Sequence, residues 1–173
     1  MRFKLLSLIA ALLLVSACAS QPEEEAASET GGAARSGAAS GGAAGVQPPV
    51  PGSAEDFLVN VGDRMFFDFD KYNIRSDQVP TMERQAAWLK QFPQVTIRIE
   101  GHADERGTRE YNLALGERRA NATRDFLISL GVDPGRIEII SYGKERPAVL
   151  GSNEQAWAQN RRSVTVILGG SAS

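Results

Sequence analysis

The segment Gly101 to Ala122, GHADERGTREYNLALGERRANA, carries the side chains of this sequence that are best placed to do chemistry. It contains the only histidine of the chain, His102, followed closely by Asp104 and Glu105. On a helical wheel at about 100° per residue, its second half puts Arg119 in the middle of an apolar stripe, with Asn112 beside it. The stripe consists of Tyr111, Leu115, Ala122, Phe126 and Leu130.

Arg119 needs partners, because a guanidinium keeps its charge when it is buried and a buried charge must be paired. The nearest carboxylates in sequence, Asp104 and Glu105, lie in the loop before this helix. Arg119 could pair with one of them and simply tie the loop to the helix. It could instead leave donors open to an external anion, with a carboxylate nearby for a cation. The second arrangement would suit a zwitterion such as an amino acid, and the residues alone leave both interpretations open.

Metal and hydrolytic chemistry are weaker interpretations of the same segment. His102 has no cysteine or second histidine at ligand spacing, so we expect no metal and no cofactor, and we expect His102 to pack or hydrogen-bond at a strand end. Asp104 and Glu105 could be the carboxylate pair of a glycosidase, but adjacent side chains point in different directions. The net charge of −2 gives no basic bias for nucleic acid.

Two further pairs of residues allow two interpretations each. Trp88 and Trp157 could stack on sugars, although single tryptophans on helices more often belong to a core. Arg161 and Arg162 could form a contact patch or a solvated rim before the last strand.

The N-terminus has the pattern of an exported lipoprotein. Residues 1–17 combine a basic start with an apolar run, LLSLIAALLLVSA, that is too short to span a bilayer and is typical of a signal peptide. The run ends in V-S-A-C, which resembles a lipobox and predicts acylation of Cys18, the only cysteine. An ordinary signal with an incidental cysteine is the alternative. Residues 18–52 are rich in Ala, Gly, Ser and Pro and are predicted to be a disordered tether.

Residues 53–173 have globular composition and are predicted to form one domain. Alternating strand and helix patterns predict an α+β fold, a two-layer sandwich in which helices pack on one face of a four-stranded mixed sheet. The predicted strands are 63–69, 95–100, 136–141 and 163–168, and the predicted helices are 53–59, 76–92, 108–130 and 153–159.

The helix around Arg119 resembles the peptidoglycan-binding motif of the OmpA-like C-terminal domain, N-x-x-L-S-x-x-R-A-x-x-V-x-x-x-L. Two positions depart from it, since Gly116 replaces a small hydroxyl residue and Thr123 replaces valine. The matching positions are Asn112, Leu115, Arg119, Ala120 and Leu127. Together with the lipobox, FFDFDKYNI, GHADERGT, SYGKERPAVLG and QNRRSVTV extend the resemblance over the whole predicted domain, to the peptidoglycan-binding lipoproteins of the Tol–Pal system.

The resemblance implies a clamp for the diaminopimelate of the peptidoglycan stem peptide. Arg119 would hold its terminal carboxylate and Asp104 would accept from its ammonium. Phe69 and Asp70, in the DFDKY loop, would form the other wall of the pocket. Asn112 and Leu115 would line or brace it.

The resemblance also implies a non-enzymatic lipoprotein that ties the outer membrane to the cell wall and contributes to envelope integrity and to constriction at division. The implied partners are peptidoglycan, TolB, and also TolA and other outer-membrane proteins, with TolB docking on a face that overlaps the peptidoglycan site. Because Ala19 and not aspartate follows the cysteine, the pattern resembles that of outer-membrane lipoproteins facing the periplasm, provided that the source is a Gram-negative bacterium. A peptidoglycan-cleaving hydrolase is the alternative function.

Overall fold

The computed structural model describes residues 48–172. The predicted signal peptide, Cys18 and most of the predicted tether lie outside these residues. Within residues 48–172, no helix combines the length and the apolar character that crossing a membrane requires.

Four strands and four α-helices make up the described chain. In chain order the elements are α1 (Ala54–Asp56), which continues as a π-helix (Phe57–Val61), β1 (Arg64–Phe66), a 3₁₀ turn (Ser76–Gln78), α2 (Val79–Gln91), β2 (Thr96–His102), α3 (Arg109–Ser129), a second 3₁₀ turn (Pro134–Arg136), β3 (Ile137–Gly143), α4 (Glu154–Asn160) and β4 (Arg162–Gly169).

The strands form one mixed sheet in the order β1-β4-β2-β3. The last strand, β4, lies between β1 and β2 and is antiparallel to both, whereas β2 and β3 are parallel. Parallel neighbours need a crossover connection, and α3 provides it. The predicted α+β fold with a four-stranded mixed sheet is therefore confirmed.

The core lies between this sheet and the helices. Val95, Ile97 and Ile99 are fully buried at alternate positions, as the period of two in VTIRIE predicts. Helix α2 presents Met82 and Leu89 to the same core. At 6% exposure Trp88 also belongs to the core, so it offers no surface on which a sugar could stack.

The N-terminal segment is fastened to the core through one carboxylate, that of Asp56. Its Oδ2 accepts from the backbone N–H of Gly52 at 2.9 Å and from the indole Nε1 of Trp88 at 2.8 Å, and its Oδ1 accepts from Nδ2 of Asn60 at 2.7 Å. The neighbouring Phe57 packs edge-on against Trp88, with ring centroids 4.9 Å apart. Ala172, near the end of the chain, donates to the Gly52 carbonyl at 3.0 Å.

Helix α3 begins and ends close to the predicted residues. The Thr108 hydroxyl caps it by accepting from the Tyr111 N–H at 3.2 Å, and Gly131 follows its end with φ of 92°. Its buried face differs from the predicted stripe, since Tyr111 is 45% exposed while Leu127 is fully buried. Small residues such as Gly116 lie on the buried face of α3, where they let the helix pack closely against the sheet. A Cβ atom on Gly101 of β2 would overlap the Gly116 carbonyl oxygen.

Strand β1 is the element that differs most from its predicted bounds. It covers three residues, not seven, because the chain leaves the regular ladder after Phe66. One further bond, from the Phe67 N–H to the Arg161 carbonyl at 2.9 Å, holds the start of the loop that follows. This loop, residues 67–75, reaches α3 and contributes one wall of the candidate site.

Candidate ligand-binding site

A pocket of about 180 Å³ lies between the loop after β1, the loop after β2 and the first half of α3. All six residues predicted to bind the ligand line it, and they share it with three that were not predicted. The lining residues are Phe69, Asp70, Asp104, Arg106, Gly107, Tyr111, Asn112, Leu115 and Arg119.

Arg119 is fully buried in the wall of the pocket and is held by three backbone carbonyls. Its Nε donates to the Lys71 carbonyl at 2.8 Å, Nη1 to that of His102 at 2.8 Å, and Nη2 to that of Asp68 at 3.2 Å. The guanidinium of Arg119, a residue of α3, thus connects the loop after β1 to the end of β2. Because an arginine has five N–H donors, these bonds leave one N–H on Nη1 and one on Nη2.

The internal ion pair considered for Arg119 is wrong in its direct form. No ion pair joins Arg119 to Asp104 or Glu105, and Asp104 is paired with Arg106 and Arg161 instead. Burial lowers the pKa of Arg119 to about 10, and the nearby charge of Asp104 partly offsets that effect. Arg119 therefore stays charged at neutral pH, with carbonyl dipoles as its direct partners and a carboxylate farther away.

Asp104 is 5% exposed and accepts hydrogen bonds on both oxygens. Oδ1 accepts from the backbone N–H of Arg106 at 3.1 Å and from its Nε at 3.3 Å, while Oδ2 accepts from Nη2 of Arg106 at 2.7 Å and from Nη1 of Arg161 at 3.4 Å. Burial alone would raise the pKa of Asp104. The bonds and charge of Arg106, with the bond from Arg161, outweigh this effect and place the pKa below its usual value. Asp104 is therefore an anion at neutral pH.

Arg161 and Arg162 form neither the contact patch nor the solvated rim considered from sequence, because they are 6% and 7% exposed. Besides its bond to Asp104, Arg161 donates to the Phe67 carbonyl at 3.1 Å and to Glu154 at 2.6 Å. Extending the alternation of Ser163 and Thr165, which are buried on β4, back by one step would have placed Arg161 inside.

Arg106 lies between two aromatic rings at the mouth of the pocket. Its Cζ is 4.0 Å from the ring centroid of Phe69 and 4.1 Å from that of Trp157, so both rings stack on the guanidinium. The indole Nε1 of Trp157 donates to Glu105 at 3.0 Å, which fixes that ring. No local sequence pattern predicts this arrangement, because the three residues come from loops and a helix far apart in the chain.

Asp70 and Tyr111 meet across the opening of the pocket, where the Tyr111 hydroxyl donates to the Asp70 carboxylate. Asp70 has φ of 56°, in the left-handed region that aspartate tolerates better than most residues. Asn112 stabilises the loop between β2 and α3 by donating to the Arg106 carbonyl at 2.8 Å. Leu115 lies in the pocket wall and is 4% exposed.

The two carboxylates considered for a glycosidase do not face one another in this pocket. Glu105 is absent from the lining and is bonded to Ser152 and Trp157, which lower its pKa. The pKa of Asp104 is lowered as well. A glycosidase acid needs a raised pKa, so neither group has the electrostatics of that role.

The sequence profile of the OmpA family matches residues 66–161, more than half of the chain. The chain belongs to the OmpA family. Within it, the chain is 59% identical over 125 residues to the peptidoglycan-associated lipoprotein of Brucella melitensis, covering 72% of this chain and 74% of that protein. It is 48% identical over 100 residues to the protein of the same name from Haemophilus influenzae, covering 58% of this chain and 65% of that protein. The predicted membership among OmpA-like lipoproteins is confirmed.

Solved structures of OmpA-like domains show the same fold. The peptidoglycan-associated lipoprotein from Burkholderia pseudomallei matches with a TM-score of 0.60 and 46% identity, over 61% of this chain and 90% of that one. The C-terminal domain of Helicobacter pylori MotB matches with a TM-score of 0.58 over 62% of this chain and 84% of that one. At 24% identity, the second likeness concerns the fold alone.

Proposed function

We propose that this chain is a non-enzymatic lipoprotein that binds peptidoglycan through the pocket between Asp104 and Arg119. One observation carries the proposal. A buried guanidinium with two uncommitted N–H groups and a buried carboxylate line the same pocket. The names of the relatives, peptidoglycan-associated lipoproteins, give the class of ligand.

The pocket suits the zwitterionic end of a diaminopimelate side chain. Its carboxylate would take the free N–H groups of Arg119, and its ammonium would be accepted by Asp104. Hydrogen bonds between charged groups are roughly twice as strong as neutral ones, and burial of both partners reduces competition from water. Lysine lacks the extra carboxylate, so a lysine-containing stem peptide would leave Arg119 without its ligand.

The proposals of membrane attachment and of protein partners rest on the sequence alone. Acylation of Cys18 would anchor the chain in the outer membrane, with the domain on the periplasmic face, where it would tie that membrane to the wall. TolB and TolA are the protein partners that the Tol–Pal resemblance implies.

Replacing Asp104 by asparagine tests the site. We expect Asp104→Asn to weaken binding of the tripeptide L-Ala–γ-D-Glu–meso-diaminopimelate by at least about tenfold, because the charge that accepts the ammonium is lost while the shape is kept. Isothermal calorimetry on the purified protein measures this affinity. Glu105→Gln is the matched control, since it removes a neighbouring carboxylate that does not line the pocket.

The same preparations separate binding from cleavage. With purified sacculi, the wild-type protein should co-sediment and release no soluble fragments, and the tripeptide should bind more tightly than its lysine counterpart. Equal affinity of Asp104→Asn and the wild type would contradict the site, and steady release of muropeptides would favour the hydrolase.

A further inference from the structure

We infer that Arg106 determines the affinity and cation specificity of the proposed site by occupying the place on Asp104 that a ligand ammonium must take. This inference rests on the proposed function. It adds that a cation of the protein's own, Arg106, occupies the ammonium position on Asp104 and that the ligand must displace it.

The hydrogen bonds of Asp104 lead to this inference. The side chain of Arg106 donates to both carboxylate oxygens of Asp104, through Nη2 to Oδ2 at 2.7 Å and through Nε to Oδ1 at 3.3 Å. Arg106 also lines the pocket. A carboxylate that already accepts a bidentate pair of hydrogen bonds from a guanidinium has little capacity left for an incoming ammonium. One of its present partners must therefore give way.

Arg106 is the partner that can leave, because Arg161 is fixed. Arg161 has a side chain that is 7% exposed and donates to the Phe67 carbonyl and to Glu154 as well as to Asp104. The Arg106 side chain is 31% exposed, and all of its hydrogen bonds go to Asp104.

The structure provides a place for the displaced guanidinium. Phe69 and Trp157 both stack on it, and the Glu154 carboxylate lies 4.0 Å from Nη2, so a small shift toward Glu154 keeps aromatic contact and a counter-charge. The backbone need not move. The Arg106 N–H remains bonded to Asp104, and its carbonyl accepts from Asn112 at 2.8 Å.

Replacement of Arg106 by methionine tests the inference, since methionine keeps apolar contact with the two rings and removes the competing charge. We expect Arg106→Met to bind the diaminopimelate tripeptide about fivefold more tightly than the wild type, the scale of one partly exposed ion pair. Arg109→Met is the matched control and should leave the affinity unchanged. Arg109 is an exposed arginine, paired with Glu145, that does not line the pocket.

A second ligand shows whether the gain comes from the ammonium. The same tripeptide with its side-chain amine acetylated cannot compete for Asp104, so Arg106→Met should gain no affinity for it over the wild type. Arg106→Lys keeps the charge but loses the two-pronged contact, and we expect it to lie between the wild type and methionine. It also serves if the methionine variant does not fold.

The outcomes separate this inference from the proposed function. If the wild type binds the tripeptide and Arg106→Met and Arg106→Lys bind it equally well or more weakly, Arg106 is no competitor and the inference is overturned while the site stands. A gain that extends to the acetylated tripeptide also overturns it. If the wild type does not bind the tripeptide at all, the proposed function and this inference both fail.

Discussion

Two arginines of this protein, the buried Arg119 and the half-buried Arg136, donate to backbone carbonyls only. Arg119 is bonded to three carbonyls, and Arg136 is bonded in the same way to those of Leu89, Phe92 and Val95 at 2.8–3.0 Å. Carbonyls at the ends of helices and strands lack partners within those elements, and a planar guanidinium can satisfy several at once. Arg119 is therefore part of the fold as well as part of the candidate site.

His102 is the residue from which we expect a pH dependence of stability. Its ring is 2% exposed, packs against Tyr142, and has no hydrogen-bond partner on either nitrogen among the described residues. Burial, with the like charges of Arg162, Arg146 and Arg64, lowers its pKa to about 4, and Glu100 is the carboxylate that faces it, 3.9 Å away.

These pKa values determine whether the free energy of unfolding rises or falls with pH. Between pH 6.5 and about 4, unfolded His102 takes up a proton that the folded protein does not, so the free energy of unfolding falls as the pH is lowered through this window. We expect a loss of about 2 kcal/mol from pH 7 to pH 5 that is absent in His102→Leu, measured by urea unfolding. Because the chain has no other histidine, other groups add little above pH 5. Parallel curves for the two proteins would contradict this assignment.

Only some residues of the candidate site could be predicted from the sequence. Arg119 was identifiable because a charge on an apolar stripe violates the helical pattern, and resemblance supplied its neighbours. Arg106 could not be found, because its role depends on Phe69 and Trp157, which the fold alone brings together. The carbonyl partners of Arg119 were equally hidden, since sequence patterns describe side chains and not the backbone groups of a loop.

The packing of α3 on β2 sets the distance between the two halves of the site. Gly101 and Gly116 make the closest approach, where a Cβ on Gly116 would come 2.9 Å from the Gly101 carbonyl oxygen and would also meet Ser141. This contact favours glycine at position 116, where the resembled OmpA-like motif has a small hydroxyl residue, because a Cβ there would be too close to the Gly101 backbone. Asp104 follows β2 and Arg119 lies on α3, so the same contact positions both.

We expect Gly101→Ala to lower the free energy of unfolding by about 3 kcal/mol, because the added methyl group overlaps a backbone oxygen that cannot move aside. The change should also weaken tripeptide binding, since the helix must shift relative to the sheet. Chemical denaturation and calorimetry measure the two effects.

Gly169→Ala is the control for this change. At that position a Cβ would make ordinary contact with the Thr96 hydroxyl at 3.6 Å, so we expect a change of less than about 1 kcal/mol. Similar stability losses in the two variants would contradict the proposed role of the Gly101 contact.

Element types and their order followed from the sequence, whereas several boundaries did not. The period of two in β2 and the Thr108 cap of α3 are local signals, and the structure agrees with both. Strand β1 ends early because its regular pairing with β4, which begins at Arg162 opposite Phe66, stops there, and this is a non-local event. The central place of β4, the last strand in the chain, is also beyond local patterns.

At the scale of the whole molecule, the anchor and the wall-binding domain should be separable. We expect Cys18→Ser to move most of the protein from the membrane fraction to the soluble fraction of a Gram-negative host, because the acylated thiol is lost. Binding to purified sacculi should stay unchanged, because the pocket lies wholly within residues 69–119. Fractionation followed by co-sedimentation measures both properties. Identical membrane fractions for the two proteins would count against lipidation at Cys18.

The Asp56 carboxylate has a mechanical consequence. Any pull that the preceding chain exerts reaches the domain at Gly52, whose N–H is bonded to Asp56 and whose carbonyl is bonded to Ala172. From Asp56 the load passes to the indole of Trp88, and so into α2, a helix that lines no part of the pocket. Strain would therefore act on the N-terminal hydrogen bonds of Asp56 before it reached the pocket between Asp104 and Arg119. Under the proposed function, tension on the chain that precedes the domain would leave the ligand pocket undeformed.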